Sequence, residues 1–227
     1  MRKITKILIG IALFGCVTVN AQNHKTHEIT DAPAFTAIEV NGGNINVLFS
    51  PGENYSFTIS GPSKLLKATK VKVQNGTLII DYDEPFFNFY NEDFNINVTA
   101  PSLTKITTSG DTYFKGKTYL RGKELNIKTY QNSKVSMKDV VVDNINIDTK
   151  DNSSVDLDYV GANLINISAS KISKVNLSGR AEQVKILKQG VFAEINTEDL
   201  NIVNKTANNG NTKQINKNGT VEFIFGN

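Results

Sequence analysis

The sequence predicts an all-β protein, a β-helix or solenoid in which coils of about 20 residues stack behind an N-terminal block of β-hairpins. Two observations lead to this prediction. Apolar-Asn-apolar triplets recur at a fixed interval in the second half of the chain: Leu125-Asn126-Ile127, Ile145-Asn146-Ile147 and Ile165-Asn166-Ile167. A second apolar series keeps the same interval: Val135, Val155, Val175 and Ile195. The repeat predicts a fold and identifies no reaction.

Residues 1–21 have the features of a secretory signal peptide. A basic start precedes an apolar run over residues 7–14, and a small-residue cleavage site ends at Ala21. The apolar run is shorter than the roughly 20 residues that cross a bilayer, so we expect no transmembrane segment in the mature chain. The sequence Leu13-Phe14-Gly15-Cys16 also has the outline of a lipoprotein cleavage site, which leaves a lipid anchor at Cys16 as an alternative.

The charge balance argues against one class of partner. Of the 25 basic and 22 acidic residues, three basic ones lie in the leader, which leaves 22 of each sign. A domain without excess positive charge, and without interleaved basic and aromatic residues, does not favour nucleic acid. Cleavage after Ala21 would also remove Cys16, the one cysteine, so neither a disulfide nor a thiol nucleophile is expected.

Residues 22–34 are polar, lack apolar periodicity and contain both histidines, His24 and His27. We expect an exposed tether that leads to the first strand at Phe35. A two-histidine metal site is the alternative, but the pair lacks the supporting ligands that a metal site requires. The sequence therefore predicts neither a metal nor a cofactor.

A single domain is predicted over residues 35–227, and its first part, residues 35–102, has the pattern of short strands separated by turns. Asn75-Gly76 between two apolar runs is a strong hairpin signal. Only residues 63–70 have a helical composition, and they are too few for more than a turn of helix. Three further breaks between apolar runs carry turn residues: Gly42-Gly43, Pro51-Gly52 and Gly61-Pro62.

Residues 103–227 are expected to form the repeat coils. In each coil an inward pair such as Leu125 and Ile127 is followed by a corner, a second inward pair such as Val135 and Met137, and a return segment. The corners carry mostly residues that tolerate left-handed backbone or bond to their own main chain. Four corners are predicted: Gln131-Asn132, Asp151-Asn152, Lys171-Ile172 and Gln189-Gly190.

Outward-facing Asn126, Asn146 and Asn166 lie one coil apart, which predicts a ladder of side-chain amides along the stack. The abundance of Asn and Asp invites a calcium site, but the sequence contains neither the glycine-aspartate nonapeptide of calcium-binding β-rolls nor an Asp-x-Asp-x-Asp-Gly loop. We therefore interpret these residues as structural.

The segment 81–93 is the candidate for a local function. Four aromatic residues, Phe86, Phe87, Phe89 and Tyr90, cluster in its middle, and five carboxylates flank them. An exposed aromatic cluster is typical of a ligand-binding site, whereas a long hairpin would use the Phe side chains to cap the open end of the coil. We favour the cap. Asp83 and Glu92 would suit glycoside hydrolysis only if the two carboxylates converge in a cleft.

Three stretches carry a family resemblance: residues 35–42, residues 71–80 and residues 94–103 with Ile106 and Ser109-Gly110. Together they resemble the head GIN domain of auto-transporter adhesins, from Phe35 to about Phe225. The resemblance implies an exported, all-β, β-helix-like envelope domain without an established activity. The family repeats a Ser-Gly corner in each coil, whereas here only Ser109-Gly110 keeps it.

These observations predict a non-catalytic exported protein of the cell envelope, an adhesion, binding or structural module whose partner is a glycan or a protein. The expected location is the periplasm, the outer-membrane surface or the extracellular space. The alternative is a polysaccharide-active enzyme that uses acidic residues on a β-helix scaffold. A visible catalytic grouping is missing from the sequence, which favours the binding module.

Overall fold

The computed structural model describes residues 24–82, 94–117, 119–203, 212–215 and 221–224. Most of these residues lie in strands, as predicted, and they contain one short helix, α1 (Ser63–Ala68). Within these ranges, no helix is long and apolar enough to cross a membrane. The first strands are β1 (His24–Ile29), β2 (Ala37–Asn41), β3 (Asn46–Pro51), β4 (Ser56–Pro62), β5 (Thr69–Gln74), β6 (Thr77–Tyr82), β7 (Asn95–Ala100), β8 (Lys105–Thr108) and β9 (Tyr113–Gly116).

The repeat part contributes longer strands. They are β10 (Leu120–Thr129), β11 (Lys134–Lys138), β12 (Val140–Thr149), β13 (Ser154–Ala169), β14 (Lys174–Gln189), β15 (Glu194–Asn196) and β16 (Leu200–Ile202). Two further strands, β17 (Thr212–Ile215) and β18 (Val221–Ile224), pair with each other in antiparallel fashion.

The coils form a β-solenoid with three sides, which we call A, B and C. On side A the strands are parallel in the order β6, β2, β8, β10, β12, β13 and β14. On side B the parallel order is β7, β3, β9, β11, β13, β14 and β15. Side C is built from the first residues of β10 and β12, the middle of β13 and β14, and β16. The long strands therefore bend around corners and serve more than one side.

One hydrophobic core fills the coils, and its columns follow the predicted register. Ile145 on side A pairs with Leu125 on one neighbouring coil and with Ile165 on the other, and all three side chains are buried. On side B, Val155 lies between Val135 and Val175 in the same way. Apolar side chains occur on the inner face because successive residues of a strand alternate between its two faces. The predicted inward columns are thus confirmed.

A stack of buried hydroxyl groups lines the inside of the corner between sides A and B. Ser153 lies within hydrogen-bonding distance of the hydroxyls of Thr149 (2.7 Å) and Thr129 (3.1 Å). It also donates toward backbone carbonyl oxygens, such as that of Lys150 at 2.7 Å. Thr108 and Ser133 repeat this contact one coil earlier, at 2.9 Å. These hydroxyl groups hydrogen-bond to one another and to backbone carbonyl oxygens. A strip of polar groups is therefore tolerated inside an apolar core.

The predicted corners have the expected backbone in three of the four cases. Gln131, Asn132, Asp151, Asn152 and Lys171 all have positive φ between 52° and 63°. The prediction of a fourth corner at Gln189-Gly190 is wrong, because the turn that continues this series is formed by residues 191–192.

Two compensating changes in β14 explain the misplaced corner. Compared with β13, β14 is one residue shorter before Gly179, which pairs with Val160. It has one extra residue between Ile186 and Lys188, where the register with β13 shifts back. Gly179 has φ +115°, and an added Cβ would lie 2.3 Å from the Val160 carbonyl oxygen. The shortened side C corner therefore requires glycine.

The N-terminal block differs from the predicted series of hairpins. Asn75-Gly76 does turn the antiparallel pair β5 and β6, and residues 63–68 do form a short helix. However, β2 and β3 are coil strands with parallel neighbours on both edges, and β2 lies between β6 and β8 although β6 follows it by 40 residues. Parallel pairing of strands distant in sequence leaves no local turn signal, so alternation alone suggested hairpins.

The predicted tether over residues 22–34 contains a strand. Residues 24–29 form β1, which pairs antiparallel with β4, and Ala32 is buried in the core. His24 and His27 are three residues apart on this strand, so their side chains leave on opposite faces, which argues against a shared metal ion. Among the described strands, β1 ends the sheet of side B next to β4, and β15 ends it at the far side.

Candidate binding groove on side C

Polar side chains in the middle of sides A and B bond to one another along the stack. On side A, Nδ2 of Asn146 donates to Oδ1 of Asn126 (3.0 Å), and Nδ2 of Asn166 donates to Oδ1 of Asn146 (2.8 Å). On side B, Asn176 donates to Asp156, which also forms an ion pair with Lys134 at 2.6 Å. The predicted amide ladder is therefore present, and its side chains hydrogen-bond to one another.

The pKa values of two side chains, Lys134 and Tyr130, are raised by their surroundings in the folded protein. The hydrogen bond to Asp156 raises the pKa of Lys134, against the opposing effect of partial burial. Burial raises the pKa of Tyr130 at the corner between sides A and B, and the carboxylate of Asp148 raises it further. The contacts with Asp156 and Asp148 each join neighbouring coils, and neither Lys134 nor Tyr130 lines the groove on side C.

On side C the outward charged groups have no such ladder. Leu120, Val140 and Val160 point inward, so the residue after each of them points outward. The outward row across the strands consists of Arg121, Val141, Gly161, Arg180 and Asn201. Asp143, Asn163 and Glu182 follow shortly after this row in their coils. Among the residues that the structure describes, none hydrogen-bonds or forms an ion pair with the side chains of Asp143, Arg180 or Glu182.

A groove of about 530 Å³ lies across this row. Gly161 contributes no side chain, and a Cβ built there would meet Val141 at 3.4 Å, which is ordinary van der Waals distance. The opening thus exists because a small residue occupies the position between Val141 and Arg180. A larger side chain at residue 161 would fill space rather than strain the backbone.

The charges of the groove are spread along the axis of the solenoid. Arg121 and Arg180 are three strands apart in the row, which places them about 14 Å from each other at the usual strand spacing. The guanidinium carbon of Arg121 lies 4.4 Å from the centre of the Tyr119 ring, a cation–π contact that orients this arginine. Acidic and amide side chains line one flank, so the groove offers both donors and acceptors to an extended ligand.

Comparison with known proteins accords with this architecture. The family described as "Putative auto-transporter adhesin, head GIN domain" matches residues 34–222. The chain belongs to the head GIN domain family. No curated protein sequence shows a significant match to it.

Solved structures share the fold of this head GIN domain. A putative adhesin from Parabacteroides merdae superposes with a TM-score of 0.69 at 20% identity, covering 78% of this chain and 74% of that one. A putative adhesin from Bacteroides fragilis gives 0.61 at 17% identity, over 80% and 98% of the two chains. A putative lipid binding protein from Parabacteroides distasonis gives 0.59 at 14% identity, over 78% and 75%. At these identities the likeness shows the fold.

The retained Ser109-Gly110 corner of the head GIN domain has a structural reason. Gly110 has φ +72°, and an added Cβ would lie 2.9 Å from the backbone of Gly42. Two coils approach each other closely here. Later corners lack this contact, so residues such as Asn and Asp replace glycine there.

The site predicted from the sequence of the head GIN domain lies outside the described residues. This applies to Phe86, Phe87, Phe89 and Tyr90, to the carboxylates Asp83 and Glu92, and to the leader with Cys16. The flanking strands are described: β6 belongs to side A and β7 to side B, and they do not pair with each other. The two flanking strands therefore do not form a hairpin with each other, and both the cap and the ligand-binding role stay predictions.

Sequence reasoning missed the side C groove. Positions that stack coils keep their residue type from coil to coil, as Asn126 and Asn146 do. The outward row of side C changes from Arg121 to Val141 to Gly161 instead. A break in residue type within an otherwise regular repeat is the signal that would have located the groove.

Proposed function

We propose that this head GIN domain is a non-catalytic binding module and that the side C groove holds an extended anionic glycan of the envelope or of the extracellular space. The observation that carries the proposal is a groove lined by charged side chains that have no partner among the described residues. The ladder residues of sides A and B bond to one another, whereas Arg180, Asp143 and Glu182 on side C have no side-chain partner among the described residues. Unpaired polar groups around a groove are available to a ligand.

The chemistry of the groove suggests the ligand class. Arginine presents a planar fork of donors that suits carboxylate, sulfate or phosphate groups. Asp143, Asn163 and Glu182 supply acceptors for hydroxyl groups along the same flank. Because Arg121 and Arg180 are about 14 Å apart, one small anion does not reach both, while a chain of acidic sugars does.

Binding rather than hydrolysis fits the exposure of the carboxylates. Asp143 and Glu182 are both exposed to solvent. A glycosidase needs one carboxyl group in a desolvated pocket to act as general acid, and a partner at a defined distance across the scissile bond. The open side C offers neither arrangement, so the polysaccharide-active alternative receives less support.

Export is part of the proposal. A signal peptide over residues 1–21 would deliver the domain to the periplasm, the outer-membrane surface or the extracellular space. The family name refers to adhesins, and such a protein meets glycans of the envelope or of a neighbouring cell. Cleavage after Ala21 would release the domain, whereas lipidation of Cys16 would hold it on a membrane.

The proposal is tested by binding of the mature domain to alginate and hyaluronate, with neutral dextran as the comparison polymer. Two changes address the groove: Arg121→Gln with Arg180→Gln, and Gly161→Thr, which fills the floor. We expect each to weaken binding to the acidic polymers at least tenfold. The matched control is Lys105→Gln with Lys128→Gln on side A, which removes the same charge and should leave binding intact. Equal binding by all variants, or no preference over dextran, would refute the proposal.

A further inference from the structure

Four large apolar side chains are exposed where the last two described coils turn from side A to side B. Their exposed fractions are 65% for Ile172, 66% for Leu187, 94% for Val191 and 74% for Phe192. Ile172, Val191 and Phe192 also line a cleft of about 460 Å³. We call these four residues, with Lys185 and Lys188, the end corner. Exposed apolar clusters of this kind mark interaction sites.

The stacking of coils does not account for this composition. The same turn is polar in the earlier coils, where Nδ2 of Asn152 donates to Oδ1 of Asn132 (2.9 Å). One coil later Ile172 takes the place of Asn152, and after another coil Phe192 takes it. The side chains of Val191 and Phe192 add little to the core, because most of their surface is exposed. Another role for the apolar residues is therefore required.

Two lysines place positive charge beside these apolar side chains. On side A, Lys185 pairs in register with Asn166, and Lys188 with Ser168, so each lysine stands next to an uncharged residue of the preceding coil. Neither lysine forms an ion pair or a side-chain hydrogen bond with another described residue. The nearby Lys171 and Lys174 are neutralised by Asp151 and Glu194, respectively. The end corner therefore keeps an excess of positive charge beside its apolar surface.

We infer that the end corner docks on an anionic phospholipid surface. Val191 and Phe192 are adjacent on one tight turn and protrude, so they can enter the boundary between headgroups and acyl chains. Lys185 and Lys188 then meet the lipid phosphates, because basic residues are attracted to anionic membranes. A turn with two protruding apolar side chains fits a deformable lipid layer, whereas a protein partner would need a matching pocket.

This contact is separate from any lipid on Cys16. The chain enters the fold through β1, which ends the sheet of side B next to β4 and β7. The end corner lies beside β14 and β15, at the opposite edge of the same sheet. The two attachments would hold opposite ends of the solenoid, and the end corner requires no lipidation.

The protein contains no tryptophan, so a single Phe192→Trp change provides a clean probe. The mature full-length domain is titrated with vesicles of phosphatidylcholine and phosphatidylglycerol at equal amounts. We expect a blue shift of the Trp emission and quenching by lipids brominated on their acyl chains. Tyr159→Trp, an exposed aromatic position on the corner between sides B and C, is the matched probe and should show neither effect.

Co-sedimentation with the same vesicles measures the affinity of the otherwise unchanged protein. Val191→Ser with Phe192→Ser, and separately Lys185→Glu with Lys188→Glu, should each lower the partition coefficient at least tenfold. Lys105→Glu with Lys115→Glu has the same charge change away from the end corner and should lower it less than threefold. Pure phosphatidylcholine vesicles should bind weakly. No binding to the anionic vesicles, or equal binding by the end corner variants and the control, would overturn the inference.

The same variants test two other occupants of the end corner. If a second copy covers the end corner, sedimentation equilibrium will show a dimer that Val191→Ser with Phe192→Ser dissociates, and the inference fails. If the chain beyond residue 203 covers it, that double variant will lower the melting temperature as much as a core substitution does, and the inference fails. A monomer with an unchanged melting temperature and lost vesicle binding supports it. None of these variants touches the side C groove, so the glycan assay stays an independent test.

Discussion

Asn146 uses its side-chain amide in both directions along the solenoid: it donates to Asn126 at 3.0 Å and accepts from Asn166 at 2.8 Å. It also donates to the carboxylate of Glu124 at 3.1 Å. Both Asn neighbours stand in register on adjacent strands. The outer wall of side A therefore contributes its own bonds between coils, in addition to the backbone ladder.

Replacing Asn146 by Ala should destabilise the protein by about 1–2 kcal/mol, because the partly exposed amide loses its bonds to both neighbouring coils. Chemical denaturation measures this free energy of unfolding. The control is Asn144→Ala, an exposed asparagine on the same strand that makes no side-chain hydrogen bond to a described residue, with an expected cost below about 0.5 kcal/mol. Equal small losses would mean that the ladder contributes nothing.

Leu157→Ala should cost about 2–5 kcal/mol, since the side chain is fully buried between Met137 and Leu177 on neighbouring coils and its removal leaves a cavity. Leu187→Ala deletes the same atoms at an exposed position and should change stability by less than about 0.5 kcal/mol. Thermal and urea unfolding of both variants check the assignment. A larger loss at Leu187 would contradict it.

Ser153→Ala should cost about 1–3 kcal/mol although it removes a single oxygen atom. The hydroxyl is buried and reaches Thr129 and Thr149 as well as backbone carbonyl oxygens. The adjacent Ser154 points outward, and Ser154→Ala should be nearly neutral. Urea denaturation decides between them, and matching losses would show that the hydroxyl stack is energetically unimportant.

The ion pair of Lys134 with Asp156 predicts a change of stability at alkaline pH. The pKa of Lys134 is raised in the folded state above the ordinary 10.5, so its contribution is complete below that pH and is lost as the pH passes the raised pKa. Lys134→Met should therefore cost about 0.2–1 kcal/mol at pH 8, as expected for a partly exposed pair, and less once the pH exceeds the raised pKa. Lys115→Met, whose lysine has no ion-pair partner among the described residues, should show no such convergence in unfolding curves at the two pH values.

The leader sequence predicts the residue at which the exported protein begins. The better-formed site at Ala21 predicts that the exported protein begins at Gln22 and carries no lipid. Intact mass spectrometry of the processed protein measures this directly. A diacylated chain that begins at Cys16 would replace the released domain by one that is anchored through its N-terminus, and Cys16→Ser would then abolish membrane association.

The sequence was sufficient to predict the parts of the fold that depend on local pattern. The columns around Ile145 and Val155, the Asn75-Gly76 turn and the amide ladder all follow from periodicity and turn chemistry. The placement of β2 between β6 and β8 did not follow, because parallel pairing between distant strands depends on the tertiary fold. The corner after β14 was misplaced because a deletion at Gly179 and an insertion at Leu187 cancel over one coil.

The groove was harder to predict for a different reason. Arg121, Gly161 and Arg180 are common residues for a solvent-facing strand, and nothing in their local sequence requires a ligand. Their significance depends on register, which brings residues 20 and 19 positions apart into one row. The missing partners of Arg180 and Glu182 become visible only when the neighbouring coils are in place.

The position of β2 inside the stack sets an order of assembly. When β2 leaves the ribosome both of its edges are open; β6 follows 40 residues later, and β8 follows 68 residues later, as their pairing with Ala37 shows. Growth of the solenoid therefore waits until the N-terminal block has closed around this strand. From β8 onward each new strand finds a finished edge and adds to it as synthesis proceeds. The coil that contains Val191 and Phe192 adds to the wall only after every earlier one, so a nascent chain stalled before this point would expose the unfinished edge of β14 to other chains.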